Sequence, residues 1–287
     1  MTLDTANTVV ITGSNTGLGL ATAVGVARTG AQVILAVRSA SKGEVAADHV
    51  RGAVPGAAVS VMNLDLASLA SIRNFADALD ERVPRLDVLI NNAGLALKDR
   101  SVTADGFETT FGVNHLGHFL LSNLLVDRLA AAGSARVVVV ASAAHRYPRA
   151  GLNFDDLDSE QRYTTMRAYG ASKLANILFA REAARRWADR GITVNSVHPG
   201  FVASRLGRDG DGGRLGEIAM SLGRPFAKSP QRGAKTSVYL ATSPEIAGVT
   251  GQYFANGKVK RPAATALDDD VARRLWDVSA SLVGLPA

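Results

Sequence analysis

Along most of the chain, short β-branched runs alternate with longer segments in which apolar residues recur at helical spacing. The runs 8–12, 32–37, 59–62, 86–90, 136–141, 193–197 and 252–254 predict strands. Between them, 18–28, 41–51, 69–81, 107–131, 169–190 and 230–241 predict helices. A last amphipathic piece, 268–282, predicts a C-terminal helix opened by three aspartates, which suit the positive end of a helix dipole. Val137-Val138-Val139-Val140 has no polar face, as a strand covered by helices on both sides must not. Strand–helix–strand alternation with right-handed crossovers gives an α/β architecture, a doubly wound parallel sheet. No linker or repeat interrupts the rhythm, so residues 1–287 predict a single domain.

Two segments depart from it. Residues 143–167 are too many for an ordinary connection after the fifth strand, and Asn153-Phe154-Asp155-Asp156-Leu157 lies among them. Residues 204–229 carry six glycines (Gly207, Gly210, Gly212, Gly213, Gly216 and Gly223) among Leu206, Leu215, Ile218, Met220, Leu222 and Phe226. Long insertions at the carboxyl edge of a sheet tend to carry function, and this composition predicts a lid over an apolar substrate site.

Composition narrows the class. At 47% hydrophobic and 20% charged, the chain is a folded globular protein rather than a disordered one. Its 32 Lys+Arg against 26 Asp+Glu give +6, but the excess is scattered, with only Lys258, Lys260 and Arg261 close together. A solvated surface fits better than a nucleic-acid stripe, so no nucleic-acid partner is expected. The absence of cysteine removes disulfides, thiolate metal sites and a cysteine nucleophile, and no metal is expected. No apolar stretch reaches the roughly 18–20 residues of a membrane span. Met1-Thr2-Leu3-Asp4 lacks the basic-then-apolar order of a secretory leader, so a cytoplasmic protein is expected.

The candidate chemistry gathers at strand ends. Thr12-Gly13-Ser14-Asn15-Thr16-Gly17-Leu18-Gly19 closes the first strand and opens the first helix. Glycines there let the backbone turn tightly and approach a pyrophosphate, as in a Rossmann-type nucleotide site. An NAD site usually carries an acid about 20 residues further on for the ribose 2′-hydroxyl. This chain has Val37-Arg38-Ser39 instead, with Lys42 a turn later. A guanidinium pairs with a 2′-phosphate, which favours NADP(H) over NAD(H); a plain surface arginine is the alternative. Tyr169-Gly170-Ala171-Ser172-Lys173 puts a phenol and an ammonium one helical turn apart, downstream of Ser142 at the end of the fifth strand.

In this order and spacing, Thr12 to Gly19, Asp65-Leu66, Asn91-Asn92-Ala93-Gly94, Asn114, Ser142, Tyr169/Lys173 and Pro199-Gly200 make the chain resemble the short-chain dehydrogenase/reductase family over nearly its whole length. Three stretches are most similar to its retinol-dehydrogenase and protochlorophyllide-reductase-like branch. They are Val113-Asn114-His115-Leu116-Gly117-His118-Phe119, Tyr169 to Asn176, and the Leu275-Trp276-Asp277 region.

The resemblance implies a catalytic set of Asn114, Ser142, Tyr169 and Lys173. Tyr169 would protonate a carbonyl oxygen, with Lys173 lowering its pKa and binding the nicotinamide ribose. Ser142 would orient the substrate oxygen, and Asn114 would hold a water relaying protons to Lys173. The implied cofactor contacts are Gly13, Ser14, Asn15, Thr16, Gly17, Leu18, Gly19, Arg38, Asp65, Leu66, Asn91, Ala93, Gly94, Tyr169, Lys173, Pro199, Gly200, Val202 and Ser204. Asp65 would meet adenine and Asn91 the adenosine ribose, while Ser204 stands where the family favours threonine. The resemblance also implies a homodimer or homotetramer.

Some residues tempt other readings. His115 and His118 are read as packing or capping groups, while Ser142 and His145 are too local to suggest a hydrolase and no Gly-x-Ser-x-Gly turn surrounds Ser142. Asp155-Asp156 reads as a solvated turn, and Trp187 and Trp276 as packing. The expected function is NADP(H)-dependent hydride transfer on a lipophilic carbonyl/alcohol pair. The alternatives are carbon–carbon double-bond reduction of the protochlorophyllide-reductase type and a non-catalytic NADP(H) sensor.

Overall fold

The computed structural model describes residues 3–201 and 228–286. Seven strands run parallel: β1 Thr8–Thr12, β2 Gln32–Val37, β3 Val59–Asn63, β4 Val88–Asn91, β5 Ala135–Val140, β6 Ile192–His198 and β7 Tyr253–Ala255. A two-residue strand, β8 Lys258–Val259, closes the edge antiparallel to β7. The spatial order is β3-β2-β1-β4-β5-β6-β7-β8. The order reverses between β1 and β4, and the crevice outside the carboxyl ends there is where open α/β sheets bind ligands.

The sheet sits between two apolar layers because side chains alternate along each strand. Val9 and Ile11 pack on one face with helices α1 (Gly17–Ala27) and α2 (Ala40–Ala53), whereas Val10 packs on the other. Val138 and Val140 likewise join the first layer, and Val137 and Val139 the second. This is why the sequence shows no polar side in these strands. The second layer holds α3 (Leu69–Asp80), α4 (Thr109–Phe111), α5 (Gly117–Leu124), α6 (Val126–Ala131) and α7 (Thr165–Arg186). Helix α8 (Pro230–Thr242) completes the first layer, and α9 (Asp269–Leu282) packs on α7 in the second.

Side-chain caps place several helix starts. Ser39, Ser68, Thr164, Ser229 and Asp268 each accept a backbone N–H from the first turn that follows. The Thr164 cap opens α7 at Thr165, earlier than the expected 169, so Tyr169 sits in the second turn rather than at the helix start. At its far end α7 stops at Arg186, and a separate 3-10 turn covers Ala188–Arg190. The expected helix over 107–131 is three helices, with a π-turn at Gly112–Leu116 between α4 and α5. The short β8 escaped sequence reading because both its residues are exposed.

Trp187 and Trp276 pack as expected. The Trp276 ring lies 4.9 Å from Phe119, 5.9 Å from Phe179 and 5.8 Å from Trp187, with the Arg186 guanidinium 4.7 Å from its centroid. This cluster clamps α9 onto α7. Replacing Trp276 by Ala is expected to lower unfolding free energy by about 3–5 kcal/mol. Urea denaturation followed by circular dichroism checks it, and a loss below about 1 kcal/mol would show that α9 is not part of the core.

Candidate active site

The turn after β1 is built on close approach. Gly13 has φ +62°, and a Cβ there would lie 2.8 Å from the Ala93 Cβ. A Cβ on Gly19 would collide with the Gly13 carbonyl oxygen and sit 2.6 Å from Asn92 Nδ2. The Thr12 hydroxyl accepts the backbone N–H groups of Asn92 and Ala93, both at 2.9 Å, and Asn92 Nδ2 donates to Thr12 O at 2.8 Å. Two neighbouring turns, 12–19 and 91–94, are thus pressed together at the switch point, facing the N-terminus of the eleven-residue α1.

The amide oxygens of Asn91 and Asn92 are buried with no hydrogen-bond partner. Unpaired polar atoms of this kind are expensive unless a ligand completes them. Bare backbone, a helix N-terminus and two orphan acceptors fit a dinucleotide with donor groups on its sugars or base.

The remaining cofactor candidates divide. Arg38 is exposed at the end of β2, its carbonyl accepting from Asn63 Nδ2 at 2.9 Å, and among the described residues its guanidinium has no partner. Asp65 is partly spoken for, since one carboxylate oxygen accepts the Ala67 N–H at 2.9 Å. Leu66 is buried, its carbonyl against Gly117 of α5. The Ser14 hydroxyl turns inward to Ile11 O at 2.8 Å, leaving only its backbone to the turn. Asn91 is fully buried and donates to Ser122 Oγ at 2.8 Å, so only its orphan oxygen is free to meet a ribose. Asn15, Thr16, Gly17, Leu18, Gly94, Pro199 and Gly200 lie in loops or at helix starts along the same carboxyl edge. Val202, Ser204 and residues 204–227 of the expected lid lie outside the described residues. On either side of them, Lys228 N donates to Phe201 O at 2.7 Å.

Four side chains come together at the ends of β5 and α7. Lys173 is buried, donating from Nζ to Val140 O at 3.1 Å, with its ammonium 5.6 Å from the Tyr169 ring centroid. Asn176, one turn on, donates to the same carbonyl at 3.1 Å. Gly94 abuts this group: a Cβ there would be 3.3 Å from Lys173 Nζ and 3.2 Å from Asn114 Oδ1.

Asn114 projects from the π-turn, a distortion that recurs at functional sites. Its side chain is fully used, with Oδ1 accepting from Leu95 N at 2.8 Å. Nδ2 donates to Leu95 O at 2.9 Å and to Ser172 Oγ at 3.0 Å. Ser142 ends the loop after β5, its Oγ accepting from Ala144 N at 3.2 Å.

Burial sets the protonation of this group. It raises the Tyr169 phenol above its ordinary value, while hydrogen bonding with the Ser142 side chain pulls the other way. Burial also lowers the Lys173 ammonium to about 8. Thr12 and Ser172 lie within the motifs read from the sequence, but their side-chain partners Asn92, Ala93 and Asn114 come from distant segments.

Comparison with known proteins places these features in context. A family model described as Enoyl-(Acyl carrier protein) reductase matches residues 13–256. Human Retinol dehydrogenase 14 is 47% identical over 292 residues, covering 97% of this chain and 86% of the relative. Human Retinol dehydrogenase 13 is 47% identical over 284 residues, covering 98% and 85%. Among solved structures, a Mycobacterium paratuberculosis protein of unassigned function superposes with TM-score 0.79 at 36% identity, covering 100% of this chain and 97% of that one. A Beutenbergia cavernae protein described as an NAD(P)-dependent gluconate 5-dehydrogenase, with NADP bound at low occupancy, gives TM-score 0.67 at 28% identity, covering 87% and 94%.

A buried ammonium works against folding. Below its folded pKa of about 8, Lys173 is charged both folded and unfolded, so the folded protein carries the full cost of desolvation. The cost fades as pH rises from there toward 10.5. Lys173→Met is expected to raise stability at pH 7 by about 2 kcal/mol, after allowing for the lost bond to Val140. The gain should shrink by pH 10, and thermal melts at both pH values check the sign.

Proposed function

This chain belongs to the short-chain dehydrogenase/reductase family, as an oxidoreductase of CH–OH/C=O groups, and we propose that it uses NADP(H) on a lipophilic carbonyl/alcohol pair. The observation that carries the reading is the meeting of Ser142, Tyr169 and Lys173 beside the glycine turn, at one carboxyl edge. When bound, the nicotinamide supplies or accepts the hydride.

The chain's own residues do the rest. Ser142 holds the substrate oxygen, and the neighbouring Tyr169 hydroxyl delivers a proton to it during reduction. Burial keeps that phenol protonated, so the proton is in place, and its release costs more than from an exposed phenol. The Lys173 ammonium, held beside the ring by Val140 O, stabilises the phenolate left behind. Because the Asn114 side chain is committed to Leu95 and Ser172, its carbonyl is the group left to hold a relay water.

Arg38 supports NADP(H), since a guanidinium just past β2 with no partner among the described residues suits a 2′-phosphate. Support for a lipophilic substrate comes from the mouth of the site. A cleft of about 670 Å³ beside Ser142 is lined by Ala143, Ala144, Tyr147 and Met166 with Arg146 and Arg149. Tyr147 and Met166 are 54% and 44% exposed, large apolar side chains that the other described residues leave uncovered. The names of the retinol dehydrogenase relatives point the same way. A cytoplasmic location and a homodimer or homotetramer belong to the same reading. The described residues contain no helix long and apolar enough to cross a membrane.

The description of the family model favours carbon–carbon double-bond reduction as the second reading. A panel of lipophilic aldehydes, ketones, alcohols and enones with NADPH and NADH separates the two by nicotinamide absorbance. Tyr169→Phe is expected to reduce carbonyl turnover by about 10²–10⁴-fold with NADPH affinity within a few-fold, because only the proton donor is lost. Wild-type-like turnover in that variant would exclude the proton-transfer role.

Arg38→Asp is expected to weaken NADPH binding by at least about 2–3 kcal/mol by replacing attraction with repulsion. Fluorescence titration reads it directly. Equal wild-type affinities for NADPH and NADH would remove the preference.

A further inference from the structure

Two buried histidines, His118 and His145, make the same contact with a backbone carbonyl a few residues upstream. His118 Nδ1 lies 3.0 Å from the Asn114 carbonyl oxygen, and His145 Nδ1 lies 2.6 Å from that of Ser142. Each ring is fixed at its other nitrogen by a distant part of the chain. His145 Nε2 accepts the Ala263 N–H at 3.0 Å, from the segment between β8 and α9. His118 Nε2 lies 2.8 Å from the hydroxyl of Thr12 at the end of β1.

The hydrogen-bond inventory settles the protons. A backbone N–H only donates, so His145 Nε2 is the lone-pair nitrogen, and Nδ1–H donates to Ser142 O. The Asn114 carbonyl only accepts, so His118 also carries its proton on Nδ1. Burial holds the His118 ring well below its ordinary value, at about 4, with the nearby Lys173 charge acting in the same direction. The ring is therefore neutral, and Thr12 must donate into Nε2. That spends the one proton of the Thr12 hydroxyl and aims its lone pairs at Asn92 and Ala93, whose N–H groups both lie 2.9 Å away. Thr12 has an alternative acceptor, Ile90 O at 3.4 Å, so without His118 the hydroxyl is free to turn away.

We propose that His118 and His145 are positioning residues. His118 braces the Asn114 carbonyl and couples the π-turn to the glycine turn, and His145 braces Ser142 against the C-terminal segment. The proposal rests on the oxidoreductase reading for its consequence in turnover, but its geometry can be read without it.

Asparagine and glutamine separate the two bonds of each ring. An asparagine amide occupies the place of Nδ1, and a glutamine amide reaches the place of Nε2. His118→Asn should keep the Asn114 contact, so kcat stays within about threefold, while NADPH affinity falls several-fold as Thr12 is released. His118→Gln should do the reverse, with kcat falling about tenfold and NADPH affinity within about threefold, the weight of one buried hydrogen bond. His145→Gln should lose about tenfold in kcat with the Ser142 contact, and His145→Asn, which keeps that contact but loses the Ala263 anchor, should lose less, about threefold.

Independently of activity, ¹⁵N NMR of the imidazoles in the cofactor-free protein should show both as Nδ1–H tautomers, with His118 not titrating between pH 6 and 8. Equal losses in the Asn and Gln variants, or an Nε2–H ring at either position, would overturn the proposal. A wild-type protein with no turnover on any carbonyl would instead sink the oxidoreductase reading, leaving the tautomers and NADPH titrations to judge the histidines.

Discussion

One backbone carbonyl, Val140 O at the end of β5, accepts both Lys173 Nζ and Asn176 Nδ2 at 3.1 Å. That contact ties α7 to the sheet and gives a buried ammonium its hydrogen-bond acceptor within the protein. Everything chemically useful nearby depends on it. Moving the lysine would expose the charge to water, restore its ordinary basicity and remove its hold on the face of Tyr169. The apolar sheet makes the contact strong, because Val137, Val138, Val139 and Val140 leave no polar neighbour to compete. The same apolarity makes it costly, since the interior that strengthens the bond also penalises the charge.

A second constraint is steric. The turns 12–19 and 91–94 approach so closely that a side chain on Gly13 or Gly19 has nowhere to go. The Thr12 hydroxyl holds that approach by accepting two backbone N–H groups from the facing turn. Backbone then lines the crevice where the strand order reverses, and the α1 N-terminus looks into it. The glycine turn and the Lys173–Tyr169 group thus share a wall: Gly94 closes one turn and abuts both Lys173 Nζ and Asn114 Oδ1.

Much of this was legible in the sequence. Strand and helix order followed from β-branched runs and apolar spacing, which act locally; most edges missed by a residue or two, those of α7 by four. Larger errors arose where tertiary contacts overrule local pattern. The 107–131 segment reads as one helix because its apolar spacing is continuous, yet a π-turn shifts the register at Asn114. Lys258 and Val259 have no strand-like pattern, and pairing with β7 alone makes them a strand.

The sequence by itself determined the doubly wound sheet, the glycine turn and the one-turn spacing of Tyr169 and Lys173. Each is encoded by residue type at short spacing, the scale on which backbone conformation is decided. Only the tertiary structure decided what those groups experience. The low basicity of Lys173, the raised phenol of Tyr169, the committed side chain of Asn114 and the tautomers of His118 and His145 arise from segments tens to more than a hundred residues apart. Desolvation and hydrogen-bond partnership are properties of a completed interior, and no local pattern carries them.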